Sequence, residues 1–217
     1  MVIHAYDETY VQGAQDVLGH SVDFAVMTLS IDPDAYGNAF AVSWVSKQFA
    51  NGNPKYVAGM NGCELARMVL SETCTAYTDA EDAMYLDKSP EYWSGWALAY
   101  FQWYTGRSFI DILSIVPLSQ IIDMYPVYHE MDILQFVDHM NERIRNAQPY
   151  TQLKQHRINC GLSQAELSAY SGVSLQQIEL FEQRKRNINN ASAITLLRLS
   201  RALHCHMEDL MEYELPY

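Results

Sequence analysis

Two helix starts, Ser163 and Ser174, stand eleven residues apart with Gly172 between them, and that spacing leaves room only for two short helices joined at a tight bend. Ser163 and Glu166 have the S-x-x-E spacing in which a hydroxyl and a carboxylate each satisfy the other's backbone N–H, which fixes a helix start after Gly161-Leu162. The first helix, Gln164 to Tyr170, has two turns. Gly172 supplies the positive φ of the turn, and Ser174 caps a second helix predicted to run through Gln183. Leu167, Val173, Ile178 and Phe181 are placed to meet between the two. The bend is too short for the helices to lie antiparallel.

The rest of the chain also reads as helix after helix, so the expected fold class is all-α. Asp7 can cap a segment in which Val11, Ala14, Leu18, Val22, Ala25 and Leu29 recur at spacings of three and four. Asp32-Pro33 opens a second helix, expected to run through Phe40, Trp44 and Val45 to the breakers Asn51-Gly52-Asn53-Pro54. Asn61 caps a third, through Leu65, Met68 and Val69. Cys74 to Lys88 is acidic and irregular and reads as a solvated loop or a short, poorly packed helix. Ser89-Pro90-Glu91 then starts a helix with seven of the chain's 26 aromatics in 13 residues, among them Tyr92, Trp93, Trp96 and Trp103, which must be mostly buried. Pro117 and Pro126 divide the next portion into short helices. A last amphipathic helix carries Ile133, Phe136, Val137, Met140 and Ile144, with Asp132 at its start and Arg143 and Arg145 near its end, as the helix dipole favours.

Charge separates the two parts. The chain carries 14 Lys and Arg against 26 Asp and Glu, a balance that read whole argues against a polyanion partner. Residues 1–149 hold 7 basic and 19 acidic side chains, and 150–217 hold 7 and 7, so the whole deficit of 12 lies in the first part. Within 150–207 the count is 7 basic to 3 acidic. The expected organisation is an acidic all-helical domain over 1–146, a linker over 147–150 containing Pro149, and a second domain over 151–217. No apolar run approaches the roughly 20 residues needed to span a bilayer, and the first ten residues lack a basic and an apolar export signal, so a cytoplasmic protein without membrane contact is expected. The four cysteines form no C-x-x-C pair and are expected to be buried free thiols.

The pattern L-x-x-x-R-x-x-x-G-L-S-Q-x-E-L, then G-V-S, a helix ending in Glu, a K-R-N loop, T-L-L-x-L-x-x-A-L and E-D-L resembles the Cro/C1-type (XRE) helix-turn-helix domain across residues 151–213. The resemblance implies a five-helix domain that lays its third helix in the major groove of double-stranded DNA, commonly as a homodimer on a two-fold operator. It also implies roles by position. Gln164 falls where the family meets the phosphate backbone or an adjacent base. Ser174, Leu175, Gln176, Gln177, Glu179 and Leu180 fall on the recognition helix, with Ile178 and Phe181 inward, Leu175, Gln176 and Leu180 toward the groove and Gln177 near its edge. Gln pairs with adenine N6 and N7 and an apolar side chain meets the thymine methyl, so an A·T-leaning site is expected. Arg184, Lys185 and Arg186 supply charge for phosphates.

Three departures stand out: Arg184 where the family often has the Gly that closes its third helix, with Ile188 where it often has Pro; His156 at a usually apolar core position; and two leucines on the groove face, which would also suit a protein-binding surface.

Other groupings suggest chemistry less specifically. His204-Cys205-His206 lacks a second pair at metal-ligand spacing, and His129-Glu130 with Asp132 lacks the H-E-x-x-H spacing, so Asp132 reads as a cap. The aromatic helix reads as core before it reads as the wall of a ligand pocket. No phosphate-binding loop, nucleophile elbow or dinucleotide fingerprint occurs, and neither catalysis, a metal nor a cofactor is expected. The expected function is a sequence-specific transcriptional repressor whose acidic domain binds a ligand or partner. The alternative is an antitoxin that neutralises a toxin through residues 1–146 and represses its own operon. The stretches AGMNGCELA and SPEYWSGWALAYFQWYTG are similar to domains that precede such modules in bacterial regulators.

Overall fold

The computed structural model describes residues 4–83, 87–147 and 150–212. Residues 84–86 of the acidic stretch and 148–149 of the expected linker lie outside them. No strand occurs among the described residues, and the chain divides into two compact units, Met1–Ala147 and Gln148–Glu214.

The first unit begins with a single 3₁₀ turn, Glu8–Tyr10, capped by Asp7, whose carboxylate accepts the Thr9 N–H. It continues through α1 (Val11–Asp23) and a π turn over Phe24–Thr28. All six apolar residues from Val11 to Leu29 that share the helical spacing are buried. Asp32, with Pro33 following, caps α2 (Pro33–Val42). The single helix expected from Asp32 to Asn51 is two. Ser43 ends α2 in an extended conformation and caps α3 (Trp44–Ala50), and the Glu72 carboxylate accepts the N–H groups of Trp44 and Val45 freed by the break. Trp44, expected within that single helix, instead opens α3 and is 59% exposed. After α4 (Pro54–Val57), Asn61 and Glu64 form a reciprocal capping box at the start of α5 (Gly62–Glu72). The acidic stretch is not simply solvated. Arg67 reaches from α5 to Asp79 at 2.8 Å, Asp82 at 2.6 Å and the Ala80 carbonyl at 2.6 Å, so a charged side chain organises a segment that has no helix among its described residues.

α6 (Pro90–Thr105) is the aromatic helix, and it packs along α1. The approach requires glycine on both sides. A Cβ at Gly95 would stand 2.5 Å from the Leu18 carbonyl oxygen, and one at Gly19 would stand 2.8 Å from the Tyr92 ring. Trp93, Phe101 and Trp103 are buried, whereas Trp96, Tyr100 and Tyr104 are only partly so. The short helices α7 (Phe109–Leu113), α8 (Leu118–Ile122) and α9 (Tyr125–Tyr128) follow, separated as the prolines require, and α10 (Ile133–Ala147) closes the unit with Phe136, Val137, Met140 and Ile144 inward. Asp132 accepts the Leu134 N–H at 2.9 Å, the capping role expected of it.

The second unit contains α11 (Gln152–Asn159), α12 (Gln164–Ser171), α13 (Leu175–Glu182) and α14 (Ala193–Leu203), with 3₁₀ turns at Ile188–Asn190 and Glu208–Leu210. Where the resemblance implies five helices, the described residues of this unit hold four α-helices and a closing 3₁₀ turn. Leu153, Leu167, Val173, Ile178, Phe181, Ile188, Leu196, Leu199, Leu203 and Leu210 form its core. His156 is half-buried and outside that core, which resolves its polar character at an apolar position.

Of the four thiols only Cys63 is buried, and burial pushes its pKa up. The expectation of four buried thiols fails at Cys74 and Cys160, which are exposed at the ends of α5 and α11, and at Cys205, which is half-buried beyond the end of α14.

Candidate nucleic-acid interface

The bend between α12 and α13 is built from local hydrogen bonds. Ser163 and Glu166 make both bonds of a capping box, and the Glu166 carboxyl is held below its ordinary range by the Ser163 N–H it accepts. Gly172 takes φ 67°, its N–H bonds back to Ser168, and the Ser168 hydroxyl donates to the Val173 carbonyl at 2.7 Å. Ser174 then accepts the Gln177 N–H at 3.4 Å. These contacts satisfy the polar backbone groups of a three-residue turn and leave Val173 to pack inward.

On α13 the inward pair falls as its spacing predicts, while Leu180, expected toward the groove with Leu175 and Gln176, is only partly exposed. Ile178 and Phe181 are buried. Ser174, Leu175 and Gln176 are exposed, whereas Gln177, Glu179 and Leu180 are half-buried. The helix thus presents a ridge of one leucine and one glutamine at its N-terminal end, with Leu180 and Gln177 at its flanks.

The C-terminal end of α13 is held by an arrangement that spacing alone did not reveal. Glu182, with a side chain 2% exposed, accepts Nε of Arg157 at 2.6 Å and Nη2 at 2.9 Å. Arg157 also donates to the Leu162 carbonyl at 2.6 Å, and Glu182 raises the guanidinium pKa above its ordinary value. The Gln164 amide donates to the same carboxylate at 2.8 Å. Gln164, expected to face DNA, therefore turns its amide nitrogen toward α13. The Arg and the Glu were both visible in the sequence pattern, but only the fold brings residues 25 positions apart into a bidentate pair.

The basic loop divides as well. Arg184 adopts φ 54°, the left-handed conformation that the family's glycine would take there. Its guanidinium donates to the Tyr150 carbonyl at 3.2 Å and lies 3.8 Å from the Glu212 carboxylate. Arg186 lies over the Phe181 ring at 5.7 Å. Lys185 is exposed between them, its backbone N–H bonded to the Leu180 carbonyl at 3.0 Å. Ile188 takes the place of the expected proline and is buried in the 3₁₀ turn.

The other groupings resolve differently. His204 ends α14 at φ 53°, so His204-Cys205-His206 lies beyond the helix rather than on it. Among the described residues no three His, Cys, Asp or Glu side chains gather as a metal site would. His129 stacks on Tyr125 at 4.3 Å and sits 3.6 Å from Glu130. The aromatic helix serves both readings, because the buried Tyr92 and Trp93 and the partly exposed Trp96 also line a cavity of about 580 Å³. No helix among the described residues is long and apolar enough to cross a membrane.

A family described as Helix-turn-helix matches residues 153–210. Comparison with curated proteins and with solved structures gave no match. The matched segment begins in α11, includes the capped bend and α13, and ends at the closing 3₁₀ turn, so it coincides with the second core. Residues 153–210 are a helix-turn-helix domain of the XRE family, and the chain is an all-α DNA-binding regulator that carries it.

Proposed function

We propose that the chain is a repressor that inserts α13 into the major groove of its operator as a homodimer and couples that binding to a ligand or partner held by Met1–Ala147. The exposed ridge of α13, anchored at its far end by Arg157, Glu182 and Gln164, carries this reading: base readout needs a helix whose orientation is fixed before it meets DNA. Gln176 reads an adenine edge, Gln177 assists at the groove wall, and Leu175 and Leu180 meet thymine methyl groups. Ser174, at the N-terminal end of α13, approaches a phosphate with Arg184, Lys185 and Arg186, while Gln164, its amide on Glu182, acts by holding α12 against α13 and offers its backbone N–H to the phosphate. The acidic unit does not itself favour DNA and serves sensing.

Fluorescence anisotropy of the full chain on DNA from upstream of its own gene, with unrelated DNA alongside, tests this. Gln176→Ala lowers affinity for the specific site by roughly 1–3 kcal/mol and leaves unrelated DNA unaffected, whereas Lys185→Ala weakens both and lowers the salt slope by about one. Equal binding to both DNAs with Gln176→Ala silent sinks base readout.

The exposed Trp44 favours a second reading, in which the first unit holds a protein partner and the chain is an antitoxin. Full chain then protects cells expressing the neighbouring toxin, and Trp44→Asp loses protection while retaining DNA binding. Protection that survives Trp44→Asp excludes this surface.

A further inference from the structure

The cavity of about 580 Å³ in the first unit is walled mainly by aromatic rings. Tyr92, Trp93 and Trp96 come from α6 and Tyr125 and Tyr128 from α9, with Asp132 just before α10. The rings hold one another in place. Trp93 meets Tyr125 edge-on at 5.8 Å and Phe136 at 5.4 Å, and Tyr128 packs on Phe136 at 6.3 Å. Ring faces carry negative potential, and several preset around one volume attract a cation without the cost of assembling them.

The charges around the cavity agree with that sign. Asp132 is on the wall, and Glu130 lies beside His129. From α1, Asp16 accepts the Tyr92 hydroxyl at 2.7 Å and Asp23 accepts the Ser89 hydroxyl. Lys88 is the lining residue of opposite charge. Its ammonium lies 3.9 Å over the Tyr92 ring and 2.9 Å from His20 Nε2, so it is already engaged and itself shows that this wall holds an ammonium group. A carboxylate ligand would instead face ring faces and Asp132. The volume is in the range of pockets for drug-sized ligands, larger than a simple ammonium ion fills.

We propose that this cavity binds an organic cation, an ammonium centre carried on an apolar body, with the charge beside Trp96, near Asp132, and against the faces of Tyr125 and Tyr128 that His129 and His139 leave uncovered. The consequence for regulation rests on the reading of Met1–Ala147 as a sensing unit. The binding itself does not.

Calorimetric titration of the full chain with benzyltrimethylammonium and choline tests it, set against the uncharged isostere 3,3-dimethylbutan-1-ol and the anion phenylacetate. The cations bind roughly tenfold or more tightly than the isostere. Trp96→Leu keeps apolar bulk and removes the indole face, and it abolishes that preference. Asp132→Asn retains a capping oxygen for α10 and weakens cation binding several-fold. Lys88→Met leaves cation binding unchanged or strengthens it by freeing the Tyr92 face. The proposal is overturned if the isostere binds as tightly as choline, if neither cation binds at millimolar concentration, or if phenylacetate binds and Lys88→Met abolishes it. Operator binding followed in the same samples separates the two readings: cation binding with no change in DNA affinity keeps this site and removes the sensing role. Operator affinity that responds to a cell extract while neither cation binds keeps the sensing role and removes this site.

Discussion

Gly172 at φ 67° and His204 at φ 53° close α12 and α14 in the same left-handed backbone region, one with no side chain and the other with an exposed imidazole. An L side chain crowds its carbonyl there at a cost of about 1 kcal/mol, and nothing lies within 4 Å of a Cβ built on Gly172 to change that figure. His204→Gly therefore stabilises the second unit by about 1 kcal/mol, and Gly172→Ala destabilises it by a similar amount, both read as shifts in the thermal midpoint. A fall in midpoint with His204→Gly would mean that the imidazole contributes more than its backbone strain. Gly172 was legible because a turn two residues before a serine cap needs it. The positive φ of Arg184 was signalled only by the resemblance, in which glycine stands there, and that of His204 by no local pattern.

At the scale of elements, the position of α13 depends on a buried ion pair to α11, with the Gln164 amide tying α12 to the same carboxylate. Removing one partner leaves an uncompensated charge among apolar groups, so Glu182→Leu costs roughly 3–5 kcal/mol. The double change Arg157→Met with Glu182→Leu recovers most of that loss, because apolar groups of similar volume carry no desolvation cost. Chemical denaturation of the two variants measures the difference, and a double variant as unstable as the single would show that the network's geometry, not its charge, holds α13. The break at Ser43 belongs to the same scale. Local spacing favours one helix across it, and only Glu72, 28 and 27 residues further on, supplies acceptors for the N–H groups of Trp44 and Val45.

The whole molecule is bounded in pH from both sides. Glu166 accepts the Ser163 N–H, Asp7 accepts from the Thr9 hydroxyl and amide, and Asp79 accepts from Arg67, and each is held below its ordinary range. Their unfolded forms take up protons first, so the stability they contribute is present at neutral pH and falls as pH drops through the carboxylate range. Burial pushes Tyr6, Tyr36 and Tyr92 above the ordinary 10.0, so their contribution is complete below that value and is lost as pH rises beyond it. Phenolate absorbance of these three, and of Tyr100 and Tyr104, which burial also pushes up, then appears only above the ordinary value or on unfolding. A single stage at the ordinary pKa with the fold intact contradicts the burial argument.

Local signals in the sequence determined the elements with strong boundaries: the capping boxes at Asn61 and Ser163, the Asp32-Pro33 start, the proline-divided helices, and the two-helix bend with Ile178 and Phe181 inward. Each depends on residues within about one helical turn of one another, which is the range over which spacing carries information. Tertiary structure decided the rest, since the contacts responsible join residues far apart in the chain. Glycines at 19 and 95 bring α1 and α6 close, Arg67 gathers the acidic stretch, and Arg157 with Glu182 fixes the recognition helix. The aromatic helix shows the division most directly: its composition determined that it is mostly buried, and only its packing against α9 decided which rings were left to wall a cavity.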